Sequence, residues 1–314
     1  PKPSSAASDV YKRQVKDLRE STSAGMLDCK KALTETNGDM EAAVDWLRKK
    51  GLASAAKKAS RIAAEGLVAV AVDGNKGAVV EVNSETDFVA KNDMFQEYVA
   101  DAALVALMHN GEVCDMKTFQ CPKVHKSFEE RLTDLIAKIG ENMNLRRAAM
   151  LEVSNGVIAS YVHNACKPNL GKIGVLVALE SNGDKAKLQE LGKHIAMHVA
   201  ASNPQFLTIA DVDQASIDHE KAIFSEQAKA SGKPENIIEK MVEGRIKKYF
   251  DEVVLEEQAY IMDPDKKVKQ IVADAAKEMG ADIKLKAFVC FRLGEGLEKR
   301  NEDFAAEVAS QLKK

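Results

Sequence analysis

Three groups of side chains in this sequence have types and spacings that could do chemistry. His194 and His198 stand four residues apart in a helix-like stretch, where two imidazoles share one face and can hold a metal ion. No glutamate follows His194 and no third ligand is in view, so a helix-packing pair is the plainer reading. A metal-dependent enzyme using His194 and His198 stands as the alternative function. Cys114, Cys121 and His125 lack a fourth partner, and their spacing matches no zinc module. Asn169-Leu170-Gly171-Lys172-Ile173-Gly174 contains a Gly-Lys pair without the leading glycine or the following Ser/Thr of a phosphate-binding loop, and Gly294-Glu295-Gly296 is a lone Gly-x-Gly. No Ser/His/Asp or Cys/His arrangement stands out. These absences weigh against an enzyme and leave one open; no catalytic residue, metal or cofactor is assigned.

A different kind of segment runs from Asn83 to Asp93 (NSETDFVAKND). It sets an acid, a large aromatic and a lysine into a strand-to-helix connection, where side chains tend to face solvent. An exposed aromatic there serves as an interface anchor. The other possibility is that Phe88 folds back onto its own helix, and the residues alone leave both open.

The elements that must position these residues follow from periodicity. Leu18, Met26, Leu27, Cys29, Ala32 and Leu33 recur at helical spacing. Asn37-Gly38 breaks that helix, and Asp39 caps another running to Lys49, which Gly51 stops. This is a small three-helix bundle, followed by a basic linker at Lys57 to Arg61. The chain then repeats itself. A strand at Gly66–Val72, a turn, a strand at Ala78–Val82 and a helix from Asp93 are matched by Gly156–Val162, Gly174–Leu179 and a helix over Lys185–Ala201. Two strands and one helix do not make a stable sheet, so Glu141–Ser154 and Leu285–Leu293 are assigned as completing strands. Between them two helices with apolar positions at Ile217 and Ile223, then at Ile238, Met241 and Ile246, turn at Ser231–Glu235 to form a protruding hairpin. Its use is a lid on the core or an arm for a partner or a second copy. Phe304, Ala305, Val308 and Leu312 form the apolar face of a terminal helix.

The fold class is therefore α+β. The domain expectation is a disordered or foreign tail over 1–14, a helical module and linker over 15–61, and core subdomains over 62–155 and over 156–210 with 251–293. The inserted hairpin covers 211–250 and a terminal module 294–314. Among 314 residues, Lys plus Arg number 45 and Asp plus Glu 48, a net charge of −3 that is too balanced for a nucleic-acid wrapper or a membrane-surface binder. Aromatics at 5% with one Trp give no stacking platform for bases, which argues against an RNA binder. No apolar run approaches the ~18 residues of a spanning helix, and the first residues lack a signal peptide's apolar core. Five cysteines, an odd number, read as reduced thiols. A cytoplasmic location is expected.

Thr86-Asp87-Phe88-Val89-Ala90-Lys91-Asn92 resembles the signature of the bacterial elongation factor Ts family, the guanine-nucleotide exchange factors of elongation factor Tu. Val15–Glu20 with Ser23–Leu33, Ile139-Gly140-Glu141-Asn142 with Arg146-Arg147, His194–His198, Met241–Arg245, Gly294–Gly296 and Asp303–Val308 are similar to the family in the same order. The resemblance runs from about Val15 to the end. It implies a ubiquitin-associated-like N-terminal module, a two-part core, an inserted coiled-coil hairpin and a terminal helix. It also implies elongation factor Tu as partner. Thr86, Asp87, Phe88 and Val89 would disturb the partner's Mg²⁺ and phosphate-binding site, with Phe88 filling an apolar pocket between partner helices. Met26, His163 and Phe304 would make further partner contacts. The Asn164–Gly171 turn is longer than the family's short glycine-rich one. Self-association through the hairpin is a further expectation; nucleic acid and membrane are not expected as partners.

Overall fold

The computed structural model describes residues 5–22, 24–121, 125–229 and 235–298. The fold is α+β, and the chain divides into two compact units. One comprises Pro1–Val68, Val80–Ala148 and Arg292–Lys314, the other Ala69–Val79 and Ala149–Phe291.

The first unit opens with three helices, α1 (Ser5–Thr22), α2 (Met26–Glu35) and α3 (Met40–Lys58). They close on Val15, Leu18, Cys29, Ala32, Leu33 and Ala43. Asn37 and Gly38 turn the chain at positive φ, and Asp39 caps α3 by accepting from the Ala42 amide at 3.0 Å. Two expectations fail here. Residues 5–14, expected to belong to a disordered or foreign tail, are helical, because α1 begins at Ser5; Tyr11 donates to the Lys30 carbonyl and Gln14 to that of Gly38. Gly51 does not stop α3 either. It is buried within the helix, and a Cβ there would meet Ala137 and Thr133 at 3.8 Å, an ordinary van der Waals contact, so the packing around it would admit a methyl group.

A glycine-led strand β1 (Glu65–Asp73) turns into β2 (Lys76–Ser84). A 3₁₀ turn at Val89–Lys91 leads to α4 (Asp93–Met108) and then α5 (Val113–Thr118). A two-residue ladder, β3 (Gln120–Cys121) with β4 (Lys126–Ser127), precedes α6 (Phe128–Ile139) and β5 (Met143–Glu152). Phe95, Tyr98, Val99, Ala102 and Ala103 of α4 are buried, as their spacing predicts.

The second unit repeats this order. Strand β6 (Gly156–His163), a short β7 (Leu170–Gly171) and β8 (Ile173–Ser181) lead to α7 (Lys185–Ser202). The hairpin helices α8 (Gln214–Lys229) and α9 (Glu235–Val253) follow. Then come β9 (Ala259–Tyr260) with β10 (Asp263–Lys267), α10 (Val268–Met279) and β11 (Ile283–Arg292). Strand order is β5-β2-β1-β7 in one sheet and β11-β8-β6 in the other, so both assigned completing strands pair where expected.

The repeat is deeper than the sequence reading saw. The α6 and α10 segments, which that reading passed over, share an ion pair, a capping interaction and a terminating glycine at one constant offset. Lys126 pairs with Asp134 at 2.6 Å and Lys266 with Asp274 at 2.8 Å. Glu130 and Gln270 each accept the amide of the residue preceding their helix, and Gly140 and Gly280 end the helices in the left-handed region. The hairpin inserts without disturbing this frame because its base is stitched. Gln205 and Phe206 amides donate to the Val253 carbonyl, and the Leu255 amide donates to that of Phe206.

Candidate functional site

The candidate loop is fixed from both ends. β2 delivers the chain to Ser84, whose hydroxyl donates to the Thr86 carbonyl at 2.9 Å. Thr86 donates its amide (2.9 Å) and its hydroxyl (2.8 Å) to the two carboxylate oxygens of Glu141. On the far side Asn92 caps α4, its side-chain oxygen accepting from the Met94 and Phe95 amides. The 3₁₀ turn closes through Lys91 N–H to the Phe88 carbonyl and Asn92 N–H to that of Val89.

Within that frame the four expected residues divide sharply. Val89 is 3% exposed and Phe88 74%. Phe88 therefore does not fold back; Val89 takes the inward place and the tight turn sends its neighbour out. Asp87 is exposed too, with no hydrogen bond or ion pair among the described residues. The Lys91 ammonium lies 5.7 Å from the Phe88 ring centroid, which covers one ring face with positive charge. The loop thus presents a free carboxylate and a large apolar ring side by side on braced backbone.

The other candidates lie elsewhere. Met26 is half exposed in the first turn of α2, and its neighbour Leu27 is 81% exposed. Both were expected among the apolar positions of the bundle, which Leu18, Cys29, Ala32 and Leu33 fill instead. His163 is exposed at the end of β6 in the second unit, its Nδ1 3.1 Å from the Tyr161 hydroxyl. The long Asn164–Gly171 turn folds on itself through the Cys166 amide and the Leu170 carbonyl, and the Asn169 carbonyl accepts from the Val70 amide. Phe304 lies outside the described residues.

The metal alternative fails on chemistry. His198 is fully buried, its Nε2 is 2.8 Å from Gln258 Oε1, and its Nδ1 accepts from the Ile261 amide. Gln258 donates its own N–H groups to the Glu252 and Ser202 carbonyls, which leaves Oε1 to accept. Both ring nitrogens are occupied, the Nε2–H tautomer is selected, and burial pushes the imidazole pKa down. Among the described residues no group of three His, Cys, Asp or Glu side chains could hold a metal ion, and no helix is long and apolar enough to cross a membrane.

Glu81 is an element that the sequence reading missed. It is fully buried on β2 and accepts five hydrogen bonds from four donors: Asn83, Arg146 Nη1, Arg147 Nε at 2.5 Å and the Gly294 amide, with Arg146 bridging both oxygens. Burial alone would raise its pKa; the hydrogen bonds from Asn83, Gly294 and Arg147 outweigh that and hold it below the usual carboxylate range. The guanidinium groups go on to the Glu295 and Arg292 carbonyls, so one carboxylate pins the Gly294-Glu295-Gly296 turn. That turn is a backbone fixture, not a phosphate loop.

Comparison with known proteins bears on all of this. The model of the family described as elongation factor TS matches residues 85–295, two thirds of the chain. This chain belongs to the elongation factor Ts family. Elongation factor Ts of Paramagnetospirillum magneticum is 60% identical over 297 residues, 95% of each chain. The elongation factor Ts proteins of Rhodospirillum centenum and Rhodospirillum rubrum are 58% and 59% identical, with 94% and 96% of this chain aligned. The elongation factor Ts match begins at Glu85, so it takes in the whole exposed loop and both arginines that hold Glu81.

Proposed function

We propose that this chain is the nucleotide-exchange factor of elongation factor Tu: it binds the GDP form and speeds GDP release, so that GTP can enter. The observation that carries this is Phe88, exposed beside Asp87 on a loop tied at both ends. Phe88 fills an apolar pocket between helices of the partner's nucleotide-binding domain. Asp87 brings a negative charge toward the partner's Mg²⁺ and phosphate site. The factor stabilises an open, nucleotide-poor state by contacts it makes only there, so factor and GDP weaken each other's binding reciprocally. No group in the chain needs to do covalent chemistry for this, and the function is that of a binding protein acting in translation elongation.

Release of a fluorescent GDP from elongation factor Tu tests the assignment. Sub-stoichiometric amounts of this chain are expected to accelerate release. Phe88→Ala is expected to slow it about thirtyfold, the loss typical of a central aromatic anchor. A Phe88→Ala rate equal to the parent's would overturn the wedge.

The hairpin carries a second proposal, an arm for self-association. Ile223 and Ile237 on its helices are exposed while its base is stitched to the core. Light scattering should give a smaller mass for a chain lacking residues 211–250 beyond that of the deleted residues; a monomer before and after removes the proposal.

A further inference from the structure

The exposed loop is held by more than its own turn. Two segments far apart in sequence exchange carboxylates: Glu141 accepts both hydrogens that Thr86 offers, and Glu85 accepts the Asn142 amide at 2.5 Å. Glu85 also pairs with Arg61 at 3.4 Å. The buried Asn142 side chain donates to the carbonyls of Arg61 (2.8 Å) and Ala59 (3.5 Å), the residues that leave α3. Gly140, at φ 90°, ends α6 and swings the next two residues toward the loop. All of these residues belong to the first unit.

We infer that Glu141, together with Glu85 and Asn142, forms a positioning node that holds the Phe88 loop in its docking geometry and links it to the exit of the N-terminal helical module. This rests on the wedge reading of Phe88. A connection of irregular backbone with two exposed side chains is normally among the more mobile parts of a fold. Here two carboxylates satisfy its backbone and neighbour groups instead. A rigid aromatic loses less conformational freedom on insertion than one on a loose loop. The gain is realised only in the inserted state, so the node acts on the release step and not on the first encounter. Glu141 touches no reacting atom; it works through Thr86.

Two measurements on the full chain test the node. Glu141→Ala is expected to lower the maximal rate of fluorescent GDP release about tenfold, leave the half-saturating factor concentration within about twofold, and speed amide hydrogen exchange over residues 84–92. Glu141→Gln keeps the shape and one acceptor oxygen, and an intermediate loss is expected; it also serves where the alanine variant folds poorly. A change confined to the half-saturating concentration would overturn the node. So would an unchanged maximal rate in a background where Phe88→Ala does slow release. If Phe88→Ala is itself inert, the wedge has failed, and hydrogen exchange decides the node alone: unchanged protection over 84–92 overturns it and lost protection upholds the brace.

Discussion

Phe88 and Glu81 put large side chains to opposite uses. The ring of Phe88 is 74% exposed, so trimming it removes little native packing and Phe88→Ala should shift stability by less than about 0.5 kcal/mol. Its expected effect on exchange therefore cannot be a folding effect. Glu81 is the reverse, a buried anion with Asn83, two guanidiniums and the Gly294 amide aimed at it. Glu81→Gln leaves those cations without a counter-charge and should cost about 3 kcal/mol in denaturant titration. Its folded pKa is depressed, so its contribution is fully present above the ordinary value of 4.5 and is lost as pH falls through the lower folded value. His198 acts earlier on the acid side. Burial depresses its pKa, so its contribution is complete above the ordinary 6.5 and erodes below it as the unfolded chain takes up the proton first. Stability measured against pH should thus fall in two stages, and Glu81→Gln should shrink only the more acid one, to which Glu130 and Glu257, likewise held below the usual range, also contribute. Removal of both stages by that variant would show that Glu81 does not titrate as its surroundings require.

The two repeats supply a controlled comparison among elements. Gly66 and Gly156 open equivalent strands at φ 125° and 141°, and a Cβ on either would run into the carbonyl oxygen of Val82 or Leu179 on the neighbouring strand. Gly74, in the tight turn of the first hairpin, has φ 58° and open space around it. Alanine at Gly74 should cost about 1 kcal/mol, the conformational strain alone. Alanine at Gly66 or Gly156 should cost well over 3 kcal/mol, because backbone must move. Equal costs at all three sites, by chemical denaturation, would mean that the strand starts yield freely. These glycines also explain what was legible beforehand. A glycine followed by a continuous run of small and aliphatic residues marks a strand in both copies, and the return strands follow from the need to complete each sheet. The helices α6 and α10 were less legible although Ser127-x-x-Glu130 is a capping signal, because charged residues separate the few apolar positions of each. The site was half legible. The types at Asp87 and Phe88 marked it, but which of Phe88 and Val89 faces inward goes with the 3₁₀ turn, and the brace on Thr86 comes from Glu141, fifty-five positions beyond it in the chain.

Across the whole molecule, the proposed contacts separate into anchors and a wedge, which have different kinetic signatures. Met26 and Leu27 project from the first unit's helical module and His163 from the end of β6 in the second. None is braced by carboxylates as the Phe88 loop is, and each would touch the partner both before and after nucleotide leaves. Uniform contacts of that kind set how much factor is needed and not how fast a saturated complex releases GDP. The double variant Met26→Ala, Leu27→Ala should therefore raise the half-saturating concentration about fivefold, corresponding to about 1 kcal/mol of lost anchoring, and leave the maximal release rate unchanged. His163→Ala should do the same more weakly. Phe88→Ala should lower the maximal rate. Reciprocity extends the argument: a variant that loses only anchoring still lets bound factor weaken GDP by the same factor, because the coupling lies in the difference between open and closed states. If the anchor variants instead lower the maximal rate with an unchanged half-saturating concentration, the helical module takes part in opening the partner, and the wedge loop is not the sole source of the exchange energy.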